Sequence, residues 1–182
     1  MQENHRRQKV LDIRRYEHRS TLPSKQVLEK TGITISENLA EMQVIVEKVS
    51  AGKSLLAGAD KYRLLYFGSL LYDFYLLTED CLLAVARITD RWIPGSLDWH
   101  ERLLKLMQSP IEDKRPPVIS AQTAYLLADY LNLYLHFHDH CSKLSAARIE
   151  KLVSNLNLLY TLLEKELTLI CGLFAPENRR DR

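Results

Sequence analysis

Apolar residues recur at steps of three and four along nearly the whole body of the chain, and no stretch alternates apolar and polar positions as a half-buried strand does. The clearest stripe is Ile149, Leu152, Val153, Leu156, Leu159, Tyr160, Leu163, Leu167, Ile170 and Phe174, with Glu150, Lys151, Glu164 and Lys165 falling off it. This spacing predicts an amphipathic helix, opened by Ser145 as N-cap and stopped before Pro176. A second stripe, Leu64, Phe67, Leu71, Phe74, Tyr75, Thr78, Leu82 and Val85, predicts a long helix from about Ala57 to Thr89. Leu65, Leu76 and Leu83 lie off that stripe, so neighbours must cover this helix on more than one side and it is central.

Three shorter patterns complete the outline. Thr34 and Glu37 have the spacing of a capping box ahead of Leu39, Met42, Ile45, Val46 and Val49, which predicts a helix from about 35 to 51. Pro94 and Gly95 mark a turn, after which Asp98 and Glu101 cap a short helix carrying Leu103, Leu104 and Met107. Pro110, Pro116 and Pro117 force a linker. Ser120 then caps a helix of about 120–141 whose apolar side chains, among them Tyr125, Leu127, Leu131, Leu133, Tyr134, Leu135 and Phe137, occupy nearly every face. The expected fold is all-α, an antiparallel bundle of four to five helices over 34–175. A basic, partly ordered or helical segment precedes it at 1–33, and a basic tail follows at 176–182.

Composition agrees with one globular core, since 182 residues with 46% hydrophobic and 26% charged side chains leave room for disorder only at the ends. The formal net charge of +2 does not imply nucleic-acid binding by itself. Its distribution matters more: Arg6, Arg7, Lys9, Arg14, Arg15 and Arg19 crowd the start, and Arg179, Arg180 and Arg182 the end. These clusters read either as solvated tails or as arms that contact phosphate by counterion release. Cys81, Cys141 and Cys171 lack any CxxC spacing, so neither a disulfide framework nor a structural zinc site is signalled, and reduced core cysteines are expected. The charged start is no secretory signal, and Asp73 interrupts the apolar run from Leu64 to Leu77, so a cytoplasmic location without a membrane span is expected.

Candidate chemistry concentrates in His136-Phe137-His138-Asp139-His140-Cys141, which holds three of the six histidines. Helical spacing puts Asp129, Asn132, His136 and His140 on one stripe and turns His138 away with Tyr134. Such a stripe serves proton transfer by a histidine near neutral pH, metal ligation by an i, i+4 pair, or polar contact across an interface. The metal option lacks a third ligand at defined spacing. Ser50-Ala51-Gly52-Lys53-Ser54 imitates the end of a P-loop, but Glu47 stands where the first glycine belongs and no strand precedes it. Phe74 and Tyr75 are expected in the core, Glu79 beside Arg87 or Arg91, and Trp99-His100 packing the short helix onto the bundle.

The order of certain residues resembles the HepT-like branch of the HEPN superfamily. They are Leu71-Tyr72-Asp73-Phe74-Tyr75, Glu79, Asp90, Pro94, Trp99-His100, Leu103-Leu104 and Met107, then Arg115-Pro116-Pro117-Val118, Ser120, Ala124, Tyr130, Leu144 and Arg148. The likeness runs from about 35 to 174. It implies a helical bundle that forms a homodimer and, in active members, a metal-independent endoribonuclease without a cofactor. Such members are toxins of toxin–antitoxin pairs, and the antitoxin partner is a small nucleotidyltransferase.

The family signature is an arginine, four to six intervening residues and then a histidine, at the dimer cleft. By that resemblance His136, His138 and His140 are the candidate catalytic residues and Asn132 and Tyr134 candidate RNA contacts, while the basic cluster outside the likeness adds Arg6, Arg7, Arg14 and Arg15 as candidate RNA contacts. The arginine itself is missing, because 129–135 reads Asp-Tyr-Leu-Asn-Leu-Tyr-Leu. Two functions stay open: a toxin–antitoxin ribonuclease homologue with impaired catalysis, and a non-catalytic helical dimerisation or protein-interaction module.

Overall fold

The computed structural model describes residues 23–91, 95–112, 115–140 and 144–174, with the side chains of 138–140 and 174 excepted. Five α-helices make up the described residues: α1 Lys25–Gly52, α2 Lys61–Thr89, α3 Trp99–Gln108, α4 Ala121–His140 and α5 Ala146–Phe174. A 3-10 turn, Lys53–Leu56, joins α1 to the bend before α2, where Gly58 takes φ +70°, a left-handed conformation natural to glycine. No strand occurs among these residues beyond one isolated bridge between Ile111 and Arg115.

Side-chain partners give the directions of the helices. Asn38 meets Leu77, while Gly52, fourteen residues on, meets Phe67, so α1 and α2 run antiparallel. By the same reasoning Gly68 lies against Phe137 and Phe74 against Tyr130, which sets α4 antiparallel to α2. Lys151 reaches Asp129 and Glu166 reaches Thr123, which sets α5 antiparallel to α4. Tyr160 on Gln43 and Asn157 near Ser50 close the ring between α5 and α1. The result is an up-down-up-down bundle of α1, α2, α4 and α5, with α3 laid against α2 and α4.

The core follows the sequence stripes. Phe67, Leu71, Phe74, Tyr75, Leu82 and Val85 of α2 are buried, as are Ile149, Leu156, Leu159, Leu163 and Leu167 of α5. Each such side chain contributes about 1.5–3 kcal/mol on leaving water. Two predicted caps form as expected: Ser120 Oγ accepts from the Thr123 amide at 3.1 Å, and Ser145 Oγ from the Arg148 amide at 3.3 Å. Cys81 is buried and Cys171 half-buried, both as free thiols, and burial pushes the Cys81 thiol up to about 12. Cys141 and Pro94 lie outside the described residues.

Other helix boundaries differ from the sequence reading. Helix α1 begins at Lys25, ten residues before the expected start and across the expected domain limit at 33/34, because Ser24 caps it through the Val27 amide. Thr34 is therefore mid-helix, and its hydroxyl donates back to Lys30 O rather than capping anything. The extra turns are held by the buried Leu28, one helical repeat ahead of the buried Ile35. Helix α2 starts at Lys61 rather than near Ala57, since Asp60 Oδ1 accepts from the Arg63 amide at 2.9 Å. Asp98 does precede α3, but its side chain makes no cap bond. Among the described residues no helix is long and apolar enough to cross a membrane.

Candidate functional site

Helix α4 carries the histidines and sorts its side chains by face. Leu127, Tyr130, Leu131 and Leu133 are buried, and the Tyr130 hydroxyl donates to Leu152 O of α5 at 2.6 Å. Tyr134 stacks on Tyr72 with centroids 4.9 Å apart and tilts against Tyr75 at 5.0 Å. Phe137 packs on Tyr72 and over Gly68, where the bare backbone admits it. These contacts fix the helix about its axis, so the opposite side, with Asp129, Asn132 and His136, faces outward.

Two cations of α5 lie against that outward stripe. Lys151 Nζ stands 2.7 Å from Asp129 Oδ2, and this bond holds the ammonium above its ordinary pKa. One turn along, Arg148 Nη2 donates to Asn132 Oδ1 at 2.8 Å. His136 Nδ1 lies 2.9 Å from Asn132 O. A carbonyl only accepts, so Nδ1 carries the proton and the basic nitrogen of the neutral ring is Nε2. Asn132 thus holds a guanidinium with its side chain and an imidazole with its backbone.

The structure brings together Asn132 and His136 of the sequence candidates, and adds Arg148 and Lys151 to them. Tyr134 is set apart, since its ring belongs to the aromatic layer between α4 and α2. His138 and His140 belong to the last turn of α4, but their side chains lie outside the description. Arg6, Arg7, Arg14 and Arg15 lie outside the described residues altogether. Arg148 and Lys151 escape a reading by sequence spacing because they sit on another helix, 16 and 22 residues from their partners.

A second polar cluster lies beneath α3. The buried Glu79 carboxylate accepts from His100 Nδ1, not from Arg87 or Arg91 as the sequence suggests. Arg87 follows Glu79 near the far end of the same helix and Arg91 lies past that end, whereas α3 lays His100 directly over the carboxylate. Trp99 stacks on the His100 ring at 3.7 Å, and Tyr134 meets that ring edge-on. Burial raises the Glu79 carboxyl above its ordinary value, while the His100 hydrogen bond opposes the rise. Burial, then the Glu79 charge, pushes the Tyr75 hydroxyl far up, so it remains a neutral donor to Glu79. The cluster ties α3 to the central helix.

Gly52-Lys53-Ser54 ends α1 and enters the 3-10 turn, so this segment presents a helix C-terminus where a phosphate cradle needs an N-terminus. Among the described residues no three His, Cys, Asp or Glu side chains gather as a metal site requires.

No curated protein and no solved structure matches the chain at a significant level. A family model does: the one described as HepT-like protein matches residues 66–172, from the second turn of α2 to the end of α5. The match covers more than half of the chain and contains the α2, α3, α4 and α5 layers on which both polar clusters are built, so this chain belongs to the HepT-like family.

Proposed function

We propose that the chain acts on RNA through the outward stripe of α4, as the toxin-type member of a toxin–antitoxin pair. The observation that supports this reading is His136: an exposed imidazole at the end of a rigidly packed helix, its Nδ1 anchored on Asn132 O. Anchoring fixes the ring, and in the neutral tautomer with the proton on Nδ1 the proton-accepting nitrogen is Nε2, the role a general base fills. The chemistry that suits it is attack of a ribose 2′-oxygen on the adjoining phosphorus. The P–O5′ bond breaks, histidine takes the 2′-hydroxyl proton, and the departing 5′-oxygen gains a proton from a second acid. A metal-independent endoribonuclease of this kind needs no cofactor.

The proposal includes a homodimer, as the family resemblance implies, and a nucleotidyltransferase as antitoxin partner. His138 and His140, in the same last turn, are the proposed companions of His136. No arginine occupies 129–135, so the in-helix arginine of active HepT-like toxins is lacking and cleavage is proposed to be slow.

The test is labelled cellular RNA incubated with the purified protein at several salt concentrations, EDTA present throughout, beside a His136→Ala/His140→Ala variant. Binding that weakens with salt, with cleavage lost in the variant, is the expected result. A folded protein that neither binds nor cleaves RNA would replace this reading with a non-catalytic dimerisation or protein-interaction module.

A further inference from the structure

The two cations beside the α4 stripe are not equivalent. Lys151 is paired with the carboxylate of Asp129, which cancels its charge at short range. Arg148 is held by the neutral amide of Asn132, and among the described residues it forms no ion pair. An amide oxygen orients a guanidinium without neutralising it. That is the condition a phosphate-binding arginine needs: fixed geometry with the charge still available.

The location reinforces the distinction. Arg148 is the third residue of α5, and no acidic side chain occupies the first turn to offset it. A cation there adds to the positive end of the helix dipole instead of opposing it, which is electrostatically unfavourable unless an anion approaches. Asn132 and His136 are one turn apart on α4, about 6 Å along the axis. The His136 Nδ1 bond to Asn132 O draws the ring back toward the residue that holds Arg148.

We infer that Arg148 is the phosphate-binding cation of this site, taking an RNA backbone phosphate beside His136 in place of the arginine missing from α4. This inference rests on the RNA reading above and adds the residue that would supply its positive charge. Asn132 is then a positioning residue, holding Arg148 by its side chain and His136 by its carbonyl.

The experiment is binding of a labelled single-stranded RNA to the full chain across a range of salt concentrations, with circular dichroism confirming that each variant folds. Arg148→Ala is expected to weaken binding about tenfold and to lower the slope of log affinity against log salt by about one. Asn132→Asp should do the same, because the new carboxylate would neutralise the guanidinium. Asn132→Arg/Arg148→Ala, which returns an arginine to α4, should recover affinity and slope. If the wild type binds but Arg148→Ala and Asn132→Asp match it in affinity and slope, the role of Arg148 is disproved and the RNA reading stands. If the folded wild type binds no RNA, both fall together.

Discussion

Arg115 grips Asp90 with two parallel hydrogen bonds, Nε to Oδ1 at 2.8 Å and Nη2 to Oδ2 at 2.6 Å, with both side chains almost wholly buried. The other three guanidinium hydrogens reach the carbonyls of Leu106, Ser109 and Pro116. All five donors are thus satisfied. The connection from α3 to α4 wraps around this one side chain, and Asp90 caps the end of α2, so the pair locks three helices into register.

Removing one partner strands the other's charge in the interior. Arg115→Ala and Asp90→Ala are each expected to lower unfolding free energy by about 3–5 kcal/mol. The double variant should lose less than the sum, since it leaves no unpaired charge in the interior. Urea denaturation measures all three. Strictly additive losses would mean that the two side chains do not act as a unit.

Gly68 tests how tightly α4 is held. A Cβ at this position would lie 2.7 Å from the Phe137 ring and 3.1 Å from Leu144. Alanine gains about 1 kcal/mol in helix propensity but meets an overpacking cost of about 1–3 kcal/mol. Gly68→Ala should therefore be destabilising or neutral, and should shift the NMR signals of Phe137 and His136. Gly32 is the control, because a Cβ there meets nothing within 4 Å. Gly32→Ala should stabilise the protein by about 0.5–1 kcal/mol. A larger gain at Gly68 than at Gly32 would show that α4 yields easily.

Glu79 predicts a pH dependence. Its folded pKa is raised from the ordinary 4.5, chiefly by burial. Between that value and the raised one, the folded state keeps a proton that the unfolded chain has released. Stability from this group is full at lower pH and falls as pH climbs through the window. The groups that face it, Tyr75, Asp80 and His100, are already included in the direction of the shift. Glu79→Gln keeps an oxygen for His100 and removes the titration. The wild type should lose stability relative to the variant as pH rises from about 4 toward neutrality. A difference that stays constant with pH would contradict this.

What could be read from the sequence was what depends on near neighbours. Ser120 and Ser145 cap helices within three residues, and the buried stripes of α2 and α5 follow a local period. Thr34 and Glu37 make a stronger local signal for the start of α1 than Ser24, the actual cap, whose N3 residue, Val27, cannot return the bond. The pairs that shape the sites are long-range: Glu79 with His100, Asp90 with Arg115, Asn132 with Arg148. No spacing rule links residues on different helices, so the sequence showed the histidines of α4 without the cation beside them.

The N-terminus of α4 offers the last test. Glu166 of α5 places Oε1 3.1 Å from the Ser120 amide and 2.9 Å from the Thr123 hydroxyl, so a negative charge from a neighbouring helix caps the positive end of α4. Its Oε2 is enclosed with no hydrogen-bond partner among the described residues. Glu166→Gln keeps one accepting oxygen but loses the charge, and its amide nitrogen would occupy a place without an acceptor. The expected loss is about 1–2 kcal/mol, with Glu166→Ala losing somewhat more because the Ser120 amide is then uncapped. Hydrogen exchange should locate the effect in the first turns of α4, leaving the turn that carries His136 protected. Exchange that rises equally along the whole of α4 would mean that this cap governs the entire helix.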